Sequence, residues 1–134
     1  MLNRLFNSKS AKNDGLAQTQ REAIVDLLHY CMFADGMVTI SENQFIAANI
    51  EAFSWDPKIS IEYYQDKSIG AARAALDNVE VKGKFFSSVS QRLASAEIRV
   101  KAFGLCEKLF AADGSKPAGE FAVQGEIRKA LGIS

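Results

Sequence analysis

Apolar side chains recur along this chain with helical spacing almost from end to end. Ile24, Leu27, Leu28 and Cys31 follow the i, i+3, i+4, i+7 pattern, which predicts an amphipathic helix over about residues 17–34. Asp35-Gly36 stops it, because glycine accepts the left-handed conformation that follows a helix end. Thr39-Ile40-Ser41-Glu42 has the spacing of a capping box and opens a second helix, with Ile46, Ile50 and Phe53 on one face. Asp56-Pro57 reads as a loop or a new start. Ile59, Ile61 and Tyr64 predict a short third helix, and Ile69, Ala72, Leu76 and Val79 a fourth. Phe85 or Phe86, Val89 and Leu93 mark a fifth. Ile98, Ala102, Leu105, Leu109 and Ala112 mark a long sixth. Asp113-Gly114 ends that one, and Pro117 suits the first turn of a seventh, through about Leu131. No segment alternates as a strand does. The expectation is an all-α single domain of about seven helices over residues 17–134, with residues 1–16 as a flexible N-terminal tail. Its short loops predict that consecutive helices pack side by side.

One pattern occurs twice. Phe33-Ala34-Asp35-Gly36 with Glu42 and Ala111-Ala112-Asp113-Gly114 with Glu120 both read Ala-Asp-Gly-x5-Glu, at an offset of 78 residues. Each copy follows a long apolar helix and precedes another helix. This predicts a pseudo-twofold repeat of two helical hairpins, bridged by the helices between them.

The 134 residues are 48% hydrophobic and 24% charged, which fits an ordinary globular chain with a core of its own. Sixteen basic and sixteen acidic side chains cancel, so the broad basic field of a nucleic-acid binder is missing and no nucleic-acid partner is expected. Residues 1–67 carry a net charge of −3 and residues 68–134 a net charge of +3. No apolar run is long enough for a membrane span or a secretion signal, which points to the cytoplasm. There, Cys31 and Cys106, each in an apolar segment, are expected as buried, reduced thiols. The start of the chain sets Leu2, Leu5 and Phe6 among Arg4, Lys9 and Lys12; a tail and a short membrane-surface helix both fit.

The repeated turn has limited chemistry. Asp-Gly-x5-Glu matches the second half of an EF-hand loop, but counting back from Gly36 puts Cys31 and Phe33, and from Gly114 puts Leu109 and Ala111, where carboxylates are required. A working EF-hand is excluded. What remains is one Asp, one Glu and backbone carbonyls per turn. Asp35 and Asp113 fall at helix C-termini, where the dipole is already negative, and a divalent cation would relieve both. The competing reading is structural: an Asx-turn at Asp, and Glu42 capping the Thr39 N–H. In the second turn Lys116 adds a positive charge and Pro117 restricts the backbone, so any cation should prefer the first turn. His29, the only histidine, reads as a partly buried or surface side chain without a nucleophile. Glu51, Asp56, Glu62 and Asp66 form an acidic stretch beside Trp55, Tyr63 and Tyr64; it reads as a solvated face or a docking surface.

With Tyr30-Cys31-Met32-Phe33-Ala34-Asp35-Gly36-Met37-Val38-Thr39 and Glu42, and Leu109-Phe110-Ala111-Ala112-Asp113-Gly114 and Glu120, the chain resembles the TerB-like family of tellurite-resistance proteins over about residues 18–133. Ile127 to Ile133 resembles the family's closing helix. The resemblance implies an all-α fold and a non-enzymatic, stress-associated binding module. It implies a divalent cation, calcium or similar, held by Asp35, Glu42, Asp113 and Glu120. It implies a protein partner that is itself membrane-associated, such as TerC, and hence a cytoplasmic location that extends to the inner face of the membrane. No small-molecule substrate is indicated. Two alternatives stay open: a structural or scaffold domain without metal, and an enzyme using the same four carboxylates as acids and bases.

Overall fold

The computed structural model describes residues 14–34, 36, 38–112 and 118–133, the first four of α6 below as backbone alone. Most of the described residues are helical, and none of them is in a strand. Six helices follow one another: α1 Gln18–Ala34, α2 Ile40–Ala52, α3 Ile61–Asp77, α4 Val79–Arg92, α5 Ala96–Ala111 and α6 Ala118–Leu131.

The helix starts are written in the sequence. Thr39 caps α2, its hydroxyl accepting from the Glu42 N–H, and Ser60, Asn78 and Ser95 cap α3, α4 and α5 in the same way. Gly36 has φ +77° and donates its N–H to Phe33 O at 3.0 Å, the expected stop of α1.

Two expectations change. The expected short helix around Ile61 and Tyr64 and the one around Ile69 to Leu76 are a single helix, α3, because nothing between Tyr64 and Ile69 interrupts it; Gly70 is carried in its interior, while Ile59 lies before it and Val79 opens α4. The real break is one residue, Asn78, which ends α3 in an extended conformation and caps α4. The other change concerns α1, which is not amphipathic. Every residue from Ala23 to Met32 is buried, because α2, α3, α4 and α5 all pack on it. Sequence neighbours are therefore not the main packing pairs throughout: α3 packs chiefly on α1 and α4, and α5 on α1 and α6. The core runs along α1 through Ile24, Leu27, Leu28, Tyr30 and Met32, met by Ile46, Ile50, Phe86, Val89, Leu93, Leu109 and Ile127.

The 78-residue offset extends to the helix boundaries. Gln18 and Ile40 begin α1 and α2; Ala96 and Ala118, 78 residues on, begin α5 and α6. Buried Ala102, Phe103, Cys106, Leu109 and Phe110 of α5 fall 78 residues after positions of the wholly buried stretch of α1, but α2 and α6 do not keep the offset: buried Ile46 and Ile50 correspond to half-buried Gln124 and exposed Arg128.

Candidate functional site

Of the four carboxylates singled out in the sequence, only Glu42 has a described side chain. Asp35 and Asp113 lie outside the described residues, and Glu120 belongs to α6 where only backbone is described. Glu42 is fully buried at the third position of α2. Its Oε1 accepts from the Thr39 N–H at 3.1 Å, and Thr39 Oγ1 accepts from the Glu42 N–H at 3.1 Å. Both halves of the capping box are formed, so one carboxylate oxygen already serves the helix end. Among the described residues no three His, Cys, Asp or Glu side chains converge to hold a metal ion.

The strongest polar cluster is one that sequence spacing did not indicate. Asp26, buried in the middle of α1, accepts the Tyr64 hydroxyl at 2.9 Å and the Arg92 guanidinium at 2.7 Å. Arg92 also donates to Ser88 Oγ at 3.1 Å. These side chains come from α1, α3 and α4 and floor a cleft of about 470 Å³, with Glu22, Lys67 and Lys84 at its rim. Burial and the adjacent Asp26 carboxylate push the Tyr64 hydroxyl well above the usual phenol range. Burial works against the charge on Arg92, but its bond to Asp26 outweighs that and holds the guanidinium protonated. A second cluster joins α1, α4 and α6: the Tyr30 hydroxyl donates to Glu126, which also pairs with Lys82 at 2.9 Å. A third fixes the entry to the fold. Asp14 accepts from Arg21 at 2.9 Å, from the Leu16 N–H at 3.0 Å and from the Ser54 N–H at 2.9 Å. Burial alone would raise the Asp14 carboxyl, but these donors bring it down to about 2.

His29 corrects the reading of a partly exposed histidine. It is 2% exposed, on the buried α1, with Nδ1 2.8 Å from Ser68 Oγ, itself 1% exposed. Burial pushes its imidazole down to about 4, the nearby Asp26 charge opposing only in part. The pair is a neutral hydrogen bond between α1 and α3 inside the core. Cys31 and Cys106 are both buried thiols, as expected.

The acidic stretch has a definite place. Glu51, Glu62 and Asp66 are exposed, and the Asp56 carboxylate accepts the Lys58 N–H at 2.9 Å. The neighbouring aromatics divide. Tyr64 turns into the core, whereas Tyr63 is 69% exposed. Trp55 is half-buried, its Nε1–H donating to Ile59 O at 2.9 Å and its ring centre 5.7 Å from that of Tyr64. With Ile50, Phe53, Pro57 and Ile61 it lines an apolar groove of about 600 Å³ at the α2–α3 corner. Apolar grooves with a few polar groups at the rim are the general shape in which ligands and partner side chains dock. No helix among the described residues is long and apolar enough to cross a membrane.

Set against known proteins, the chain matches no family model, no curated protein and no solved structure.

Proposed function

We propose that this chain is a TerB-like, non-enzymatic binding module built from two equivalent hairpins, α1–α2 and α5–α6, bridged by α3 and α4. The observation that carries the reading is the offset of 78 residues shared by the two Ala-Asp-Gly-x5-Glu sequences and by both helix starts of each hairpin. In this reading Asp35 with Glu42, and more weakly Asp113 with Glu120, serve a divalent cation, in a stress-associated role on the cytoplasmic side of the membrane. Binding rather than catalysis is favoured because, among the described residues, the paired His29 and Ser68, an imidazole beside a hydroxyl, are sealed in the core.

The test is calorimetric titration of metal-stripped protein with calcium, magnesium, manganese and zinc. Asp35→Asn should remove most of the binding and Asp113→Asn little, since Lys116 opposes a cation at the second turn. Absence of binding by the wild type removes the metal reading and leaves both turns as structural.

A second reading, docking without metal, is favoured by the α2–α3 corner, where the groove beside Trp55 lies next to exposed Tyr63 and the acidic stretch. By the family resemblance, its partner would be a membrane-associated protein of the TerC type. Ile61→Asp, at the groove's edge, should abolish binding to such a partner while the helical fold is kept.

A further inference from the structure

The walls of the α2–α3 corner are fixed. Trp55 is held by its bond to Ile59 O, and the Ser54 N–H by Asp14. Beside the groove of Ile50, Phe53, Trp55 and Ile61 a second hollow of about 610 Å³ continues past Pro57 and Ile59 to Glu62. The charged side chains lining the two hollows are Glu51 and Glu62; among the described residues neither Lys nor Arg lines either one. The surface complements bulky apolar side chains carried on a basic segment.

The chain itself contains such a segment. Met1–Asn13 carries Leu2, Leu5 and Phe6, together with Arg4, Lys9 and Lys12, and no acidic residue. These residues lie outside the described ones, but the point where they join is well fixed. Asp14 is bonded to Ser54, which is part of the groove wall. The eight residue-to-residue steps from Phe6 to Asp14 reach at most about 29 Å, more than enough to double back on a wall that begins at hydrogen-bond distance. A tether this short gives the segment an effective concentration on the order of millimolar, so even weak apolar contacts are populated.

We propose that residues 1–13 are the occupant of the α2–α3 corner, with Leu2, Leu5 and Phe6 covering Trp55 and the basic side chains complementing Glu51 and Glu62. A partner that docks at the corner must then displace this segment, which makes the segment a built-in competitor. The inference rests on the docking reading of the corner only for that consequence.

Trp55 is the one tryptophan of the chain and reports on the corner directly. Full-length protein is compared with a full-length Leu5→Asp/Phe6→Asp variant by emission maximum and acrylamide quenching, with circular dichroism as a check on folding. The variant should show a red shift and an about twofold rise in quenching as the apolar cover is lost. Excess synthetic peptide of residues 1–13 should reverse both, and the wild-type signal should not change on dilution. Should the double variant misfold, Lys9→Glu/Lys12→Glu should give a smaller rise that vanishes in high salt. Identical Trp55 signals in wild type and variant overturn the proposal. So does a dilution-dependent wild-type signal, which makes a second copy the occupant, or transfer of the segment to anionic vesicles with Trp55 unchanged, which makes it a membrane anchor. A corner found open leaves the docking reading standing, because it is then free for a partner; failure of a partner to bind leaves the Trp55 comparison untouched.

Discussion

Removing Arg92 should destabilise the fold more than neutralising Asp26, although the two form one ion pair. The Asp26 side chain is 8% exposed and that of Arg92 23%. Arg92→Met leaves a buried carboxylate on the central helix with the Tyr64 hydroxyl as its remaining strong donor. Breaking a fully buried pair from one side costs about 3–5 kcal/mol. Arg92 borders a solvent-accessible cleft, which brings the figure down to about 2–3 kcal/mol. Asp26→Asn removes the charge but keeps an oxygen for Tyr64, and the freed guanidinium can turn toward the cleft. Only charge assistance is lost, about 1–2 kcal/mol. Once Arg92 is Met, Asp26→Asn should be neutral or stabilising, since it then removes an unpaired charge, giving a coupling of about 1–3 kcal/mol. Urea unfolding at neutral pH of the wild type, both single variants and the double variant measures all of these, with a melting-temperature shift of about 4 °C per kcal/mol expected for a chain of this size. If Asp26→Asn proves the costlier single change, or costs the same in both backgrounds, the pair is not what supports α1 against α4.

His29 is neutral in the folded state, with a pKa of about 4 against 6.5 in the unfolded chain, so unfolding takes up a proton between those values; its contribution is complete above pH 6.5 and falls by about 3 kcal/mol as the pH drops to 4, a slope that His29→Gln should flatten in urea melts across that range. Glu42→Gln should keep the capping box and change stability by less than about 0.5 kcal/mol, while any cation affinity measured by calorimetry should fall; a large loss of stability would mean that the charge itself supports the buried end of α2. Tyr30→Phe deletes the hydroxyl bonded to Glu126 and should cost about 1–2 kcal/mol in thermal unfolding, whereas Lys82→Met, at the same carboxylate but half-exposed, should cost less. Cys31 and Cys106 should react with an aromatic disulfide reagent only at the rate of global unfolding, and fast labelling of either in native buffer contradicts their burial.

What the sequence discloses and what it hides divide along a physical line. Helix starts are local: Thr39, Ser60, Asn78 and Ser95 each bond an amide three residues on, so a reader of spacing finds α2 and the stop at Gly36 without knowing the fold. The merging of two short helices into α3 was hidden because the apolar positions pause between Tyr64 and Ile69, where Ser68 is buried by its bond to His29, a partner 39 residues away. Polar residues that serve a long-range bond look like a gap in the pattern. The same blindness covers Asp26. Its partners stand 38 and 66 residues away, and its only local sign was a carboxylate inside the apolar run Ile24-Val25-Asp26-Leu27-Leu28. An ionised group there is tolerated only if other elements supply donors, so Asp26, Arg21 and His29 together were evidence that α1 is surrounded rather than half-exposed. The repeat pulls the other way. A motif of three letters at an offset of 78 residues is matched by the helix starts, Gln18 with Ala96 and Ile40 with Ala118, but burial does not carry the match into α2 and α6, where Ile46 and Ile50 answer to Gln124 and Arg128. Metal chemistry at the turns depends on Asp35 and Asp113, and Glu42 already spends one oxygen on its helix. In the metal reading proposed above, a cation at the first turn would take its ligands from Asp35, backbone carbonyls and water rather than from the Glu42 oxygen that caps α2.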